Sequence, residues 1–298
     1  MEQPDSNRKL IEIDPSAGFC FGVEKAISTA EAMLSRGEVV YGLGAMVHNK
    51  EETGRLDRMG LRTISTDDFA GITPARVILR AHGEPPSTYE KAFNHNIEII
   101  DATCPIVTSL QKKIRNRFRE LDKDHEQIVI FGKAGHPETI GLMGQTNDQA
   151  VLVTDPDETG QVDPAKKVFL YSQTTMDPER FQQLEEKLRD IVVNRKGPGL
   201  VANCSICNQM KRRKPDLKAF ARQHDLMVFV SGSASSNGRL LYEYCKKQNS
   251  NSYWIHSLED IDPAWVQKNG SIGISGATST PLWQLEQVKA HLESLIID

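Results

Sequence analysis

Three of the five cysteines stand in similar settings, roughly one in each third of the sequence. Cys20 lies just before a predicted helix, and Cys104 precedes Pro105, a residue type common at the first helical position. Cys207 also comes directly before a predicted helix. A thiolate at a helix N-terminus is stabilised by the helix dipole and by the N–H groups of the first turn. Three such thiolates suit an iron–sulfur cluster in which one iron lacks a protein ligand. Zinc is the rival, although structural zinc usually has four ligands at short spacings.

The other two cysteines have ordinary explanations. Cys204 forms a C-x-x-C pair with Cys207, but the sequence has no second pair of this kind, and we interpret Cys204 as structural. Cys245 stands in a stretch that is typical of helix packing. An odd number of cysteines at long spacings does not indicate a disulfide framework.

Three histidines and one glutamate follow short β-branched runs. His48, His82 and His136 each occupy a turn after such a run, and Glu138 falls in the first turn of the helix predicted after His136. A single histidine in such a turn is usually structural, but three in equivalent places favour a function. Glu138 either complements the helix dipole or donates a proton in a site. A zinc site built from the three histidines is conceivable, but it would leave the three cysteines unexplained.

Hydroxyl and amide side chains form a second group of candidates. They fall in Thr174-Thr175, Ser235-Ser236-Asn237 and Ser279-Thr280, ahead of predicted helices. Each can be a simple helix cap. Several helix N-termini with such side chains would also bind a phosphate or diphosphate. The chain has no phosphate-binding loop of the G-x-x-x-x-G-K-[ST] type, and Gly42-x-Gly44 lacks the third glycine of a nicotinamide-binding fingerprint.

Short apolar strands alternating with helices must position these residues. Such alternation predicts an α/β protein with parallel sheets covered on both faces, in which ligands bind beyond the carboxyl ends of the strands. We expect several small sheets to point these ends at a common centre. Apolar periodicity predicts helices over 108–121, 178–193 and 281–297. The predicted strands contain 39–41, 77–80, 97–100, 128–131, 168–171, 226–230 and 272–274.

Composition narrows the function classes. The chain has 298 residues, 36 Lys and Arg against 40 Asp and Glu, and a net charge of −4. This balance argues against a dedicated nucleic-acid-binding protein. No apolar run approaches the roughly 20 residues that span a bilayer, and the polar N-terminus lacks a signal-peptide core. We therefore expect a cytoplasmic protein with no membrane partner. Length alone suggests about two domains, with one or three also possible.

Taken together, nine segments closely resemble the 4-hydroxy-3-methylbut-2-enyl diphosphate reductases, the LytB or IspH family of the non-mevalonate isoprenoid pathway. The resemblance runs from about residue 11 to 292. The segments are Gly18-Phe19-Cys20-Phe21-Gly22-Val23, Val47-His48-Asn49, Ala81-His82-Gly83, Asp101-Ala102-Thr103-Cys104-Pro105, Gly135-His136-Pro137-Glu138, Gln173-Thr174-Thr175, Ser205-Ile206-Cys207, Ser235-Ser236-Asn237 and Ala277-Thr278-Ser279-Thr280-Pro281.

The resemblance implies three small parallel-sheet α/β units in a pseudo-threefold trefoil around a central 4Fe–4S cluster. We place these units at 1–104, with the N-terminal segment, 105–204 and 205–298. Cys20, Cys104 and Cys207 match the cluster ligands, which leaves one iron without a protein ligand, and Glu138 matches the catalytic acid. The positions that match substrate contacts are His48, His82, His136, Thr174, Ser235, Ser236, Asn237 and Ser279.

The implied reaction reduces (E)-4-hydroxy-3-methylbut-2-enyl diphosphate to isopentenyl and dimethylallyl diphosphates by two-electron reductive dehydroxylation. A zinc hydrolase of a phosphorylated metabolite, using the three histidines, is the alternative enzyme. A phosphate-metabolite sensor is the non-enzymatic alternative.

The sequence carries no obvious flavin or nicotinamide motif, so the reaction needs an external donor such as a ferredoxin or flavodoxin. These carriers are generally acidic, and two basic clusters could receive one. The first comprises Lys112, Lys113, Arg115, Arg117 and Arg119, and the second spans 211–214. We favour the second cluster because it begins four residues after Cys207.

Overall fold

The computed structural model describes residues 9–194, 198–233, 235–268 and 270–297. Within these residues the strands are β1 Leu10–Ile13, β2 Tyr41–Leu43, β3 Arg62–Ile64, β4 Ala75–Leu79, β5 Ile97–Asp101, β6 Glu126–Phe131, β7 Val151–Val153, β8 Lys167–Ser172, β9 Leu200–Ala202, β10 Leu226–Val230, β11 Ser252–Ile255 and β12 Ser271–Gly276. The α-helices are α1 Phe21–Ser35, α2 Lys50–Arg58, α3 Pro86–Asn94, α4 Pro105–Arg119, α5 Pro137–Gly144, α6 Pro178–Arg189, α7 Asn208–Ala221, α8 Ser236–Gln248, α9 Ala264–Lys268 and α10 Leu282–Ile297.

The strands form three four-stranded sheets in which every pairing is parallel. The first sheet has the order β3-β2-β4-β5 and the second β7-β6-β8-β9. The third sheet has the order β11-β10-β12-β1. All three therefore repeat one pattern. The chain starts at one inner strand, continues with the edge strand beside it and then crosses to the other inner strand. The N-terminal strand β1 takes the edge position that β5 and β9 take in the other sheets. These sheets confirm the predicted α/β class.

The position of β1 corrects one expectation. Residues 1–104 were predicted to form the first unit together with the N-terminal segment, but β1 pairs with β12 in the third sheet, with Ile11 opposite Ile272. The physical reason is burial, because Ile11 packs in the core of this sheet with Ile272 and Ile274. The boundaries at 104/105 and 204/205 stay predictions.

The inner strands are buried on both faces, as a parallel sheet requires. In β4, Val77, Ile78 and Leu79 are fully buried, and every residue of β10 is buried. The helices cover these faces with apolar side chains, such as Leu184 and Leu188 of α6 against the second sheet. The helices predicted over 108–121, 178–193 and 281–297 correspond to α4, α6 and α10.

The described chain divides into two compact units. The terminal unit comprises residues 9–24, 47–58 and 212–297 and contains the third sheet. The middle unit comprises residues 25–46 and 59–211 and contains the first and second sheets. None of the helices in the described residues is both long and apolar enough to cross a bilayer.

Candidate functional site

The three candidate cysteines follow the equivalent edge strand of each sheet. Cys20 follows β1, Cys104 follows β5 and Cys207 follows β9, and in each case a helix begins at the next residue. The backbone geometry also repeats. The N–H of the cysteine donates to a carbonyl just beyond the neighbouring strand, with N···O distances of 3.3 Å from Cys20 to Thr278, 3.0 Å from Cys104 to Ala81 and 2.9 Å from Cys207 to Thr174.

Each cysteine also accepts the first hydrogen bond of its helix through its carbonyl, at 2.9 to 3.1 Å. In each cysteine, both the backbone N–H and the backbone carbonyl are therefore hydrogen-bonded. None of the three forms a disulfide, and all three are half-buried. A partly exposed thiol at a helix N-terminus is suited to binding soft metals or iron–sulfur clusters as a thiolate. The donor set therefore fits the predicted cluster.

The two remaining cysteines differ from this pattern. Cys245 is fully buried in α8 with its Sγ 3.6 Å from Ser252 Oγ, and burial raises the pKa of its thiol. This agrees with its predicted packing role. Cys204 is exposed in the segment that leads to Cys207, so it does not contribute to a core, and its interpretation as a structural residue stays a prediction.

Glu138 is a buried acid at the end of the second sheet. It lies in the first turn of α5, as predicted, and is only 1% exposed. The Thr174 N–H donates to Oε1 at 2.6 Å and the Thr174 hydroxyl donates to Oε2 at 2.9 Å. Burial raises the pKa of Glu138 to about 7, although both bonds from Thr174 lower it. Near neutral pH the carboxyl is therefore present in both protonation states, which suits a general acid.

His82 and His136 meet in the middle unit. Their ring centroids are 5.2 Å apart and the rings are nearly perpendicular. His136 caps α5, because its Nδ1 accepts the Glu138 N–H at 3.1 Å. A ring nitrogen that accepts a hydrogen bond in this way carries no proton. Gly83 holds the His82 turn at φ +72°, and a Cβ there would lie 2.7 Å from Gln111 Nε2.

The end of the third sheet carries a polar cluster in the terminal unit. The Ser235 hydroxyl accepts the Gly238 N–H at 3.0 Å as the N-cap of α8, and it lies 3.1 Å from the Ser279 hydroxyl. Asn237 Nδ2 donates to the Thr278 hydroxyl. The buried Asn237 Oδ1 has no hydrogen-bond partner among the described residues, so this oxygen can still accept a hydrogen bond. Ser236 begins α8, but its side chain lies outside the described part of the chain.

His48 lies in the terminal unit beside the turn that follows β10. A Cβ on Gly232 would approach the His48 carbonyl oxygen to 2.7 Å, so this close backbone contact requires a glycine. The next residue, Asn49, donates from Nδ2 to Gln284 Oε1 at 2.8 Å and accepts the Glu52 N–H at 3.1 Å. These contacts fix the segment that carries His48.

The polar candidates also repeat across the sheets. His48, His136 and Ser235 each stand five residues after the strand that starts a sheet, β2, β6 and β10. His82, Thr174 and Ser279 stand two or three residues after the strand next to it, β4, β8 and β12. Each sheet therefore contributes one cysteine and two polar side chains from equivalent strand ends.

One buried ion pair was not predicted. Arg213 is 4% exposed and donates to Asp14 Oδ2 at 2.8 Å, to Ser275 Oγ at 2.9 Å and to the Gly276 carbonyl at 2.8 Å. Arg213 therefore contacts two segments at once. One runs from β1 to Cys20 and contains Asp14, and the other is the end of β12. A sequence pattern could have revealed it, because Arg213 shares the helical register of the buried residues Met210 and Leu217.

Fold and site together define an α/β protein with thiols, imidazoles and a buried acid at the carboxyl ends of parallel strands. A family model described as LytB protein matches residues 11–293. The chain therefore belongs to the LytB family, an iron–sulfur family of oxidoreductases in isoprenoid biosynthesis. This confirms the family predicted from the motifs.

Relatives and solved structures agree with this assignment. The 4-hydroxy-3-methylbut-2-enyl diphosphate reductase of Bacteroides thetaiotaomicron is 47% identical over 290 residues, which cover 97% of this chain and 99% of that protein. The reductase of the same name from Chloroherpeton thalassium is 38% identical over 307 residues, with coverages of 95% and 96%.

Two solved structures share the fold over nearly the whole chain. One is that of (E)-4-hydroxy-3-methyl-but-2-enyl diphosphate reductase, the terminal enzyme of the non-mevalonate pathway, with a TM-score of 0.73 and 30% identity over 96% of this chain and 100% of that chain. The other is that of the E-1-hydroxy-2-methyl-but-2-enyl-4-diphosphate reductase from Plasmodium falciparum. Its TM-score is 0.80 and its identity 25%, over 94% of this chain and 86% of that chain.

Proposed function

We propose that the chain reduces (E)-4-hydroxy-3-methylbut-2-enyl diphosphate to isopentenyl and dimethylallyl diphosphates, the last step of the non-mevalonate pathway. The reaction breaks the allylic C–O bond, forms a C–H bond and releases water, so that it consumes two electrons and two protons. Membership of the LytB family supports this function over the zinc hydrolase and the metabolite sensor.

The proposed cofactor is one 4Fe–4S cluster held by Cys20, Cys104 and Cys207, with one iron that lacks a protein ligand. The support is that the three cysteines share one local geometry in three equivalent sheets, with half-buried thiols outside any disulfide. When bound, such a cluster supplies electrons and a Lewis-acidic iron for the substrate hydroxyl.

The diphosphate is proposed to bind among His48, His82, His136, Thr174, Ser235, Ser236, Asn237 and Ser279. None of these side chains is a lysine or arginine, so the anion would be held by imidazole N–H groups, hydroxyls and helix N-termini. The hydroxyls of Ser235 and Ser279, which lie 3.1 Å apart at the start of α8, support this role, because a hydroxyl and a helix N-terminus can both donate to a phosphate oxygen.

The observation that carries the proposal is Glu138, a buried carboxyl that accepts two hydrogen bonds from Thr174 and whose pKa is raised by burial. Glu138 would give its proton to the departing hydroxyl, which leaves as water. Thr174 connects this acid to a cysteine position, because it donates twice to Glu138 while its carbonyl accepts the Cys207 N–H. The acid is therefore fixed relative to one of the proposed cluster ligands.

The electrons are proposed to come from a small external carrier such as a ferredoxin or flavodoxin. The proposed location is the cytoplasm, because a reducing compartment keeps the cysteines available as thiolates.

Turnover by anaerobically reconstituted protein tests the function. With the allylic alcohol diphosphate and dithionite, we expect isopentenyl and dimethylallyl diphosphates and no free phosphate. Phosphate release without a reductant, by protein that contains zinc and no sulfide, would instead identify the hydrolase. Ligand binding without any conversion, and without need of the cluster or of Glu138, would identify the sensor.

A further inference from the structure

A cleft of about 580 Å³ opens in the middle unit between α4 and the segment before Cys207. Ile106, Ser109 and Lys113 of α4 line one side, and Tyr171, Cys204 and Ser205 line the other. None of the residues that line this cleft is acidic. The cleft is not made by any of the proposed substrate-binding side chains, so it requires a separate explanation.

The walls of the cleft lie next to two of the candidate cysteines. Pro105 lines the cleft and directly follows Cys104, while Ser205 lines it two residues before Cys207. Consecutive Cα atoms are about 3.8 Å apart, so each wall comes within about 8 Å of one of these cysteines along the backbone. Electron transfer weakens steeply with distance, and a donor in this cleft would therefore be well placed.

The exposed charges of α4 are positive. The helix has five lysines and arginines and no acidic residue over its 15 positions, in a chain whose net charge is −4. Arg117 pairs with Glu120 and lies over the ring of Phe169, so Lys112, Lys113 and Arg119 are the exposed cations of this helix. Lys112 and Lys113 are exposed, and Lys113 reaches the cleft. Ile106 is 45% exposed and adds an apolar contact among these charges. A basic rim around an apolar centre is complementary to an acidic protein surface.

The second basic cluster, at 211–214, is a weaker candidate than the sequence suggested. Arg213 is buried in its ion pair with Asp14, and Lys214 lies over the ring of Tyr244, 5.3 Å from its centroid. Only Lys211 and Arg212 of this cluster are exposed.

We infer that the α4 cleft, defined by Ile106, Ser109, Lys113, Tyr171, Cys204 and Ser205, is the docking site of a small acidic electron-carrier protein. The inference rests on the proposed function. Two reduced carriers would dock in turn and each would lose one electron, which together supply the two electrons of one turnover. The basic rim would accelerate docking, with an effect that salt screens.

Stopped-flow reduction of the anaerobically reconstituted protein, without substrate, tests this inference. The probe is a reduced flavodoxin, and dithionite serves as the small reductant. We expect Lys112→Glu/Lys113→Glu to lower the flavodoxin rate roughly 10-fold at low salt, because opposite-charge steering typically contributes about 10- to 1,000-fold. The dithionite rate should stay within about twofold. Between about 20 and 200 mM salt the Debye length falls from about 20 Å to about 7 Å, so the parent should slow more than the variant.

Matched variants separate the explanations. Lys91→Glu/Lys247→Glu makes the same change in net charge on exposed positions of α3 and α8 and should leave both rates unchanged. Ser109→Trp fills the cleft without changing charge and should slow reduction by flavodoxin alone.

Several results would overturn the inference. They are an unchanged flavodoxin rate in Lys112→Glu/Lys113→Glu, an equal loss with dithionite, or an equal loss in the Lys91→Glu/Lys247→Glu control. A loss confined to Lys211→Glu/Arg212→Glu would place docking on α7. A parent protein that holds no cluster would overturn the proposed function itself, and the docking site with it.

Discussion

The substitution Glu138→Gln keeps the shape of the side chain but removes its acidic proton. With a pKa of about 7, Glu138 is about half protonated at pH 7. A carboxyl at the ordinary value of 4.5 would be protonated to only about 0.3%, so burial raises the proton-donating fraction roughly 150-fold. General acid catalysis typically contributes about 10²–10⁴-fold. We therefore expect kcat to fall by at least about 100-fold, with the cluster retained and substrate binding nearly normal.

The pH dependence of kcat gives a second signature of this acid. The proton donor is lost as pH rises through about 7, so the kcat of the parent should fall about tenfold for each further pH unit. The remaining activity of Glu138→Gln should lack this dependence. Initial rates with dithionite in excess, from about pH 5.5 to 9, measure both profiles. A variant within about threefold of the parent at pH 7 would show that another group supplies the proton.

Stability measurements show whether the loss of activity reflects damage to the fold. A carboxyl whose pKa is raised on folding favours the folded state at low pH, and this contribution is lost as pH rises from 4.5 through about 7. At about 1.4 kcal/mol per pH unit, the parent should lose about 3 kcal/mol over this range. Glu138→Gln should lack this loss and should be more stable than the parent at pH 8 in urea unfolding. Lower stability of the variant at pH 8 would contradict a buried carboxyl whose pKa is raised on folding.

Three further substitutions test the surroundings of this site. Thr174→Val removes a hydroxyl donor that lowers the pKa of Glu138, so the limb of the kcat profile should move to higher pH; a shift to lower pH would contradict the assignment. Arg213→Leu leaves Asp14 buried without its cation and should cost about 3–5 kcal/mol in urea unfolding, whereas a loss below about 1 kcal/mol would show that the pair contributes little. Cys204→Ser should retain full iron content because Cys204 is exposed outside the three equivalent positions, and loss of iron would make it a ligand.

The parts of the fold that the sequence predicted are those with a continuous apolar pattern. Five of the six inner strands and the edge strand β5 coincide with the predicted apolar runs, whereas the inner strand β2 begins only at Tyr41, the last residue of the run predicted at 39–41. The five other strands, β1, β3, β7, β9 and β11, are three or four residues long and all lie at sheet edges. Edge strands are partly exposed, and polar residues interrupt β1, β3 and β11, as in Leu10–Ile13, where only Ile11 is buried. The strands β7 and β9 are apolar but only three residues long. The pairing of β1 with β12 spans most of the chain, and no local pattern predicts it.

Some features of the candidate site could likewise be predicted from the sequence, and others could not. The helix-start positions of Cys104 and Glu138 followed from local residue types and are confirmed. The burial that raises the pKa of Glu138 and the two bonds from Thr174 depend on packing between distant segments, so the sequence could not reveal them. Arg213 was misjudged for a different reason, because the lysine- and arginine-rich stretch around it resembles an exposed surface, although its spacing from Met210 and Leu217 matches a buried helix face.

Iron and acid-labile sulfide, measured on anaerobically reconstituted parent, Cys104→Ser and Cys245→Ser, test the central claim most directly. A 4Fe–4S cluster requires about four iron and four sulfide per chain, which we expect in the parent and in Cys245→Ser. Cys245 is the matched control because its thiol is buried and used for packing. In Cys104→Ser we expect most of the iron and most of the sulfide to be lost, and the visible absorbance to fall in parallel. Full iron and sulfide in Cys104→Ser, or a parent that binds zinc without sulfide, would contradict the account.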